Sequence, residues 1–236
     1  MRRALLLLVA TLLAAWSLWV LEGARQGLEI TRGHVGDTPV TRMTDGSGGP
    51  PVVIAHGFAG SRQMMQGYGL VLAQAGYTVH AFDFEGHGRH TTPMSGDVTS
   101  PEGTTRRLVA QANAVIEAAR EGETPVALLG HSMATDVLVR VADGVPEIGP
   151  LVLISAFSRE IDARHPQDLL LITGAWEPGL RDFALEAARM VDPNAAEGQT
   201  VRDGAVRRKA LIAPFVEHVA ILHSRAGRSA ALDWLN

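Results

Sequence analysis

The chain has 236 residues, of which 46% are hydrophobic, and its formal net charge is −4. This length suits one large α/β domain and is too short for two domains of ordinary size. The 21 basic residues are scattered and form no stripe with interleaved aromatic residues, which argues against nucleic-acid binding. The absence of cysteine excludes disulfides, thiolate metal sites and a cysteine nucleophile.

A hydrophobic run without charge follows Arg2 and Arg3 and extends over residues 4–21. As a helix it would span about 27 Å, close to the thickness of a bilayer core. Trp16 and Trp19 lie near its far end, as interfacial anchors do. We expect an uncleaved membrane anchor, because no small-x-small cleavage site follows the run. A cleaved signal peptide, with secretion of the domain, is the alternative.

The two arginines predict a cytoplasmic N-terminus, an inner-membrane location and a domain on the outer, periplasmic side. The expected organisation is an anchor and linker over residues 1–27 and a single domain over residues 28–236.

Beyond the linker, hydrophobic patterning predicts strands that alternate with helices. The predicted strands cover residues 28–31, 38–43, 51–55, 78–83, 126–129, 151–154, 169–173 and 208–212. The predicted helices run from Ser61, as N-cap, to about Ala75, and over residues 104–121, 134–141, 180–190 and 229–235, with a polar loop up to about Gly204. Gly36 and Asp37 predict a turn that joins the first two strands. The fold class is therefore α/β, with a mostly parallel, doubly wound sheet and an antiparallel N-terminal hairpin.

The segment Gly130-His131-Ser132-Met133-Ala134 joins a buried strand to a helix. It is close to the Gly-x-Ser-x-Gly nucleophile elbow, with alanine in place of the last glycine. Small residues are needed there because the strand and the helix pass close together, and alanine is small enough. The sharp turn would lift the Ser132 hydroxyl above the sheet edge.

Ligands of a parallel sheet bind at the carboxyl ends of its strands. Four features lie at such ends: His56-Gly57-Phe58, Ser132, Glu177 and His218. Their order along the chain is typical of one arrangement of the catalytic triad. Together with the elbow, the loop from Asp83 to Gly88 and the late Glu217-His218-Val219, they make the chain resemble the α/β-hydrolase fold superfamily over roughly residues 28–235.

The resemblance implies a role for each residue. Ser132 would be the nucleophile and His218 the base and then the acid, while Glu177 would hold the imidazole in the right tautomer. The backbone N–H groups of Phe58 and Met133 would form the oxyanion hole. Serine acyl chemistry needs no cofactor, and none is expected.

Other residues compete for these roles. Asp182 rivals Glu177 but is expected inside a helix, and His223 rivals His218 but is expected a turn or more into the following helix. His131 is expected to pack and orient the elbow. His87 and His90 are three residues apart and lack a third convincing ligand, so we expect them to structure their loop and predict no metal site.

The 13 residues between Ile154 and Asp168 leave no room for a lid domain. We therefore expect an open cleft suited to short acyl groups or solvent-exposed esters. The residues expected to border the substrate are His56, Gly57, Met64, Met65, Phe157 and Trp176, with Phe58 beside them.

The function predicted from these features is hydrolysis of a small-molecule carboxylic ester through an acyl-enzyme. Acyl transfer or amide and peptide cleavage by the same residues is an alternative, because only the acceptor or the leaving group differs. A non-catalytic hydrolase-like module that binds a ligand at the membrane is a third. The sequence leaves the oligomeric state open.

Overall fold

A computed structural model describes residues 2–97, 101–120, 122–145 and 147–236, and the side chain of residue 101 is left aside. The strands are β1 (Glu29–Val35), β2 (Thr38–Thr44), β3 (Pro51–Ala55), β4 (Thr78–Phe82), β5 (Val126–His131), β6 (Ile148–Ile154), β7 (Asp168–Gly174), β8 (Thr200–Asp203) and β9 (Val206–Ala213). The helices are α1 (Arg2–Gly23), α2 (Gln66–Gln74), α3 (Arg106–Ala119), α4 (Met133–Gly144), α5 (Pro178–Arg189) and α6 (Arg225–Leu235).

The strands of these ranges form one sheet in the order β1-β2-β4-β3-β5-β6-β7-β9-β8. The pairs from β4 through to β9 are parallel, whereas β1–β2, β2–β4 and β8–β9 are antiparallel. The predicted fold class is confirmed, including the N-terminal hairpin. The order of the strands reverses between β3 and β5, so this edge is the topological switch point at which open α/β sheets bind ligands.

Both faces of the sheet are covered, which is why the central strands read as continuous apolar runs rather than alternating ones. Residues of α3, α4 and α5 pack on one face around Val53, Leu128 and Leu153. Residues of α2 and α6 pack on the other face around Ile54 and Leu129.

The structure corrects four predicted elements. Helix α2 begins at Gln66 rather than after Ser61, because the backbone N–H of Arg62 donates to Asp83 Oδ1 at 2.7 Å and holds residues 61–65 in turns. Strand β8 falls in the predicted polar loop. It is an edge strand in which only Val201 is buried, so it has no hydrophobic pattern to detect.

The closing helix also begins earlier than predicted, because the Ser224 side chain accepts the Gly227 N–H at 3.2 Å and caps α6. Helix α3 was predicted over residues 104–121. Its first residue is Arg106 and its last is Ala119, and Glu121 lies outside the described residues.

Helix α1 contains the predicted hydrophobic run. Within the described ranges it is the one helix long and apolar enough to cross a membrane, and none of its residues is buried against the rest of the chain. A membrane anchor and a signal sequence share these properties.

Candidate active site

Ser132 lies at the switch point, between the end of β5 and the start of α4. Its backbone is left-handed, with φ 52° and ψ −118°, a conformation that costs a non-glycine residue about 1–3 kcal/mol. Its N–H donates to the carbonyl of Ile154 at 2.9 Å, which ties the turn to the end of β6. The sheet thus holds this serine in a strained turn at the edge where open α/β sheets bind ligands.

The neighbours of Ser132 are small because strand and helix nearly touch. A Cβ atom on Gly130 would lie 2.7 Å from Leu138 Cδ1 and 3.4 Å from Ala134 Cβ. The close approach of Leu138 therefore requires glycine at position 130, whereas the distance of 3.4 Å to Ala134 Cβ is an ordinary van der Waals contact. The fully buried methyl group of Ala134 is thus accommodated where the elbow usually has its last glycine.

The fold brings Ser132, His218 and Glu177 into one hydrogen-bonded chain. His218 Nε2 lies 2.9 Å from Ser132 Oγ, and His218 Nδ1 lies 2.6 Å from Glu177 Oε1. The carboxylate of Glu177 is buried, whereas the His218 side chain is 42% exposed. The hydrogen-bonded series of side chains therefore leads from the protein interior to the solvent-facing cleft.

Backbone hydrogen bonds between two loops fix the distance between Glu177 and His218. The loop after β7 carries Glu177, and the loop after β9 carries His218. Ala175 N–H donates to Ala213 O at 2.9 Å, and Trp176 N–H donates to Val216 O at 3.1 Å. The two loops therefore continue the pairing of β7 with β9 beyond the strands and hold the carboxylate beside the imidazole.

Ser155 is a site residue that the sequence analysis missed. It follows β6, is buried, has a left-handed backbone with φ 51°, and its hydroxyl donates to Glu177 Oε2 at 2.8 Å. The Gly174 N–H donates to the same oxygen at 2.7 Å. A serine directly after a buried strand, at the same sheet edge as Ser132, was the signal that could have found it.

His131 holds the backbone of His218 in place. Its Nε2–H donates to the His218 carbonyl at 2.8 Å, and the two rings lie 4.9 Å apart. Burial lowers the pKa of His131 to about 4, so it is neutral at pH 7. This position agrees with the predicted packing and orienting role.

His56 joins two loops at the same edge. Its Nε2 accepts the Phe84 N–H at 3.0 Å, so its Nδ1 carries the proton and donates to Gly57 O at 2.7 Å. Burial lowers the pKa of His56 to about 4, which keeps this tautomer neutral at pH 7. The loop after β3 is thereby fixed to the loop after β4.

The loop after β3 runs directly beside the elbow. A Cβ atom on Gly57 would lie 2.8 Å from His131 Nδ1 and 3.0 Å from Ser132 Cβ, so only glycine allows this approach. Within the described ranges, the backbone N–H groups of Phe58 and Met133 have no hydrogen-bond partner. Two free donors therefore lie on the segments that flank Ser132, since Met133 is the first residue of α4.

A cavity of about 540 Å³ contains Ser132 and His218. Its apolar wall lies on the sheet face covered by α3, α4 and α5 and comes from Met94, Leu108, Met133, Val137, Phe157 and Leu180. Phe58 and Phe157 line it and are 67% and 54% exposed, so the cavity is open to solvent on that side. No helix or strand lies between Ile154 and Asp168.

Only Phe157 of the six residues predicted to border the substrate lines this cavity. Met65 is fully buried and Met64 partly buried in the core on the opposite sheet face, where α2 packs. His56 and Gly57 are buried in the loop after β3, and Trp176 is 64% exposed outside the cavity lining. The sequence did not reveal on which face of the sheet Met64 and Met65 would pack, because both lie in a turn that has no hydrophobic periodicity.

The competing residues lie elsewhere. Asp182 is exposed within α5, and His223 is exposed at the end of a 3-10 turn. His87 Nδ1 bonds to Glu85 O at 2.9 Å, and His90 Nδ1 accepts the Thr92 N–H at 3.1 Å, so both structure their loop. Among the described residues no three His, Cys, Asp or Glu side chains are grouped as metal ligands would be.

A sequence profile of the family described as serine aminopeptidase, S33, matches residues 50–219, which include the elbow, Glu177 and His218. The chain belongs to this family. The chain is therefore an α/β-hydrolase, and its membership of this family supports hydrolase activity. A search of curated protein sequences finds no match.

Solved structures share the fold of this chain. A CIB-like hydrolase from Thermoplasma acidophilum is 16% identical with a TM-score of 0.66, covering 88% of this chain and 97% of its own. A bacterial membrane phospholipase A is 17% identical with a TM-score of 0.60, covering 100% and 98%. Epoxide hydrolase I of potato (Solanum tuberosum) is 12% identical with a TM-score of 0.62, covering 88% and 99%.

Proposed function

We propose that this chain is a serine hydrolase that cleaves carboxylic esters through an acyl-enzyme. The observation that carries the proposal is the hydrogen-bonded chain from Ser132 Oγ through His218 to the buried carboxylate of Glu177. A serine hydroxyl is a weak nucleophile at neutral pH, and a base within hydrogen-bond reach activates it.

In the proposed reaction Ser132 Oγ attacks the ester carbonyl while His218 Nε2 takes the hydroxyl proton. The carbonyl oxygen becomes an oxyanion that accepts hydrogen bonds from the N–H groups of Phe58 and Met133. Removal of one such donor typically costs about 3 kcal/mol of transition-state stabilisation.

Collapse of the oxyanion breaks the ester C–O bond, and the imidazolium of His218 protonates the departing alkoxide. Water, deprotonated by His218, then attacks the acyl-enzyme and releases the acid, which restores Ser132. Glu177 accepts from His218 Nδ1–H throughout and stabilises the imidazolium without itself taking the proton.

The charges in the cavity favour an ester over the free amino terminus of a peptide, the group that an aminopeptidase, as the family is described, would have to bind. The ionised side chains of the lining are Asp136, Arg140 and Arg159. Asp136 pairs with Arg140 at 2.8 Å and accepts a hydrogen bond from Ser158 Oγ at 2.7 Å, so the described residues of the lining offer no unpaired anion to bind an ammonium group. The apolar wall suits an acyl chain, and the open side suits short or solvent-exposed esters.

We further propose that α1 anchors the hydrolase domain, residues 28–236, to the inner membrane with the domain on the periplasmic side. The uncharged run after Arg2 and Arg3 and the full exposure of α1 support an anchor. Secretion after signal cleavage predicts a mature protein that lacks α1 and remains soluble without detergent, so the mass of the purified protein separates the two.

Hydrolysis of p-nitrophenyl esters from acetate to palmitate by the detergent-solubilised chain tests the function. We expect turnover that Ser132→Ala lowers at least about 10⁴-fold. Ser229→Ala, an exposed serine on α6, is the matched control and should leave turnover unchanged.

Two results contradict the ester proposal. Labelling of Ser132 by a fluorophosphonate without turnover of any ester would indicate amide substrates. Loss of both labelling and turnover in the folded protein would indicate a non-catalytic binding module.

A further inference from the structure

A second cavity, of about 410 Å³, lies on the sheet face that carries α2, beside the β1–β2 hairpin. Four arginines line it: Arg25, Arg32, Arg62 and Arg89. It shares no lining residue with the cavity that contains Ser132. The proposed hydrolase reaction does not use it.

The lining carries a net positive charge. Asp83 is the one acidic side chain among the described residues of the lining. Its carboxylate is already engaged, because it pairs with the Arg62 guanidinium and accepts hydrogen bonds from the backbone N–H groups of Arg62 and Arg89. Four arginines and one aspartate give the lining a charge of +3, whereas the whole chain has −4.

Three of these guanidinium groups remain available to a ligand. The side chains of Arg32 and Arg89 have no ion pair with any described residue, and Arg25 has only a contact of 4.0 Å with Glu22, which is 81% exposed. Such an exposed pair contributes little energy. Arg62 is held in place by Asp83 and by Thr41 Oγ1, which accepts from its Nε at 2.9 Å. The cavity therefore combines one fixed arginine with three adaptable ones.

The cavity lies next to the chain that leaves α1. Arg25 is two residues beyond Gly23, the last residue of α1. The connecting segment is tied to the domain, because Gln74 Nε2 donates to Ala24 O at 2.9 Å. If α1 spans the bilayer, the residues that directly follow it lie at the depth of the lipid headgroups.

We propose that this arginine-lined cavity binds the phosphate group of an anionic phospholipid headgroup from the leaflet at which α1 ends. The inference rests on the proposed membrane anchor. Guanidinium groups match phosphate oxygens in pairs, and juxtamembrane arginines are attracted to anionic lipid surfaces. Gln63 and Gln66 also line the cavity and add side-chain amides that can bind headgroup hydroxyls. Headgroup binding would hold the hydrolase domain in one orientation on the membrane.

Calorimetric titration of the full chain in a nonionic detergent tests the proposal with three probes: dihexanoyl phosphatidylglycerol, dihexanoyl phosphatidylcholine and inorganic phosphate. We expect phosphatidylglycerol to bind at least tenfold more tightly than the other two. The double variant Arg32→Gln/Arg89→Gln should weaken its binding about 30-fold, since each arginine near a lipid surface contributes about fivefold.

The matched control is Arg164→Gln/Arg225→Gln, which removes the same charge from exposed positions outside the cavity and should retain wild-type affinity. Equal weakening by both double variants would overturn the proposal, because it would show attraction to net charge alone. Equal affinity for inorganic phosphate and phosphatidylglycerol would contradict the proposal that the ligand is a lipid headgroup. If none of the three probes binds, the proposal that this cavity is a binding site is wrong. Ester hydrolysis, measured on the same samples, is expected to be unchanged in both variants, so a failure of the proposed function is recognised separately.

Discussion

Replacement of Glu177 by glutamine is expected to abolish most of the activity, because it reverses the tautomer of His218. Oε2 of Glu177 accepts two hydrogen bonds, from Ser155 Oγ and from the Gly174 N–H. In Glu177→Gln the amide oxygen must occupy that position, because an NH₂ group there would face two donors. The NH₂ group then lies where Oε1 lay, 2.6 Å from His218 Nδ1 in the wild type.

A donor at this position forces Nδ1 of His218 to accept. The proton then moves to Nε2, which faces Ser132 Oγ at 2.9 Å and can no longer take the hydroxyl proton. The change keeps the shape of the side chain and both buried hydrogen bonds, so it should affect kcat far more than stability. Removal of the corresponding charge in a serine triad lowers kcat about 10⁴-fold, and we expect a loss of that order.

The assay is kcat/KM for p-nitrophenyl butyrate together with the rate of fluorophosphonate labelling, which reports on Ser132 without product release. Asp182→Asn is the matched control, since it removes a carboxylate of the same loop-helix segment that is exposed within α5. It should retain full activity. An activity of Glu177→Gln within tenfold of wild type, or a large loss in Asp182→Asn, would contradict the predicted change of tautomer.

Three further predictions concern residues around the triad. Ser155→Ala removes one hydrogen bond to a buried carboxylate and should lower kcat about 10- to 100-fold with KM unchanged; an unchanged kcat would mean that Gly174 alone orients Glu177. Gly130→Ala places a methyl group 2.7 Å from Leu138 Cδ1 and should lower the free energy of unfolding by about 1–3 kcal/mol in urea titrations, whereas an unchanged midpoint would refute the close packing of the elbow. Burial lowers the pKa of His56 and of His131 from 6.5 to about 4, so the unfolded chain binds more protons below pH 6.5 and stability is lost as pH falls from there towards 4. The free energy of unfolding, measured in urea, should be lower at pH 5 than at pH 7 by on the order of 2 kcal/mol for each histidine. Equal urea midpoints at the two pH values would contradict the burial of these histidines as neutral groups.

The fold class was predictable because it depends on local patterns. The strands around Val53 and Leu128 are continuous runs of β-branched and aliphatic residues, so the side chains on both faces of the strand are apolar. This pattern is typical of a parallel sheet that is covered by helices on both faces. The order of Ser132, Glu177 and His218 and their positions after strands also indicated which side chains would meet, because carboxyl ends of parallel strands share one edge.

The missed features all depend on contacts between distant segments. Ser155 is separated from Glu177 by 22 positions, and its hydrogen bond exists only because β6 and β7 are neighbours in the sheet. Met65 faces the core because α2 packs on the sheet face opposite the cavity that contains Ser132. Strand β8 exists through its pairing with β9 rather than through a pattern of its own.

Sequence alone was enough to predict the alternation of strands and helices, the elbow, the order of the three candidate catalytic residues and the hydrophobic N-terminal run. These are properties of neighbouring residues, since periodicity, turn chemistry and helix length act within a few positions. The folded structure was needed to show which groups orient Glu177 and His218, which face of the sheet forms the cavity that contains Ser132, and that four arginines from separate segments line a second cavity. Hydrogen bonds and charge clusters depend on distances in space, and strand pairing brings together residues that are far apart in the chain.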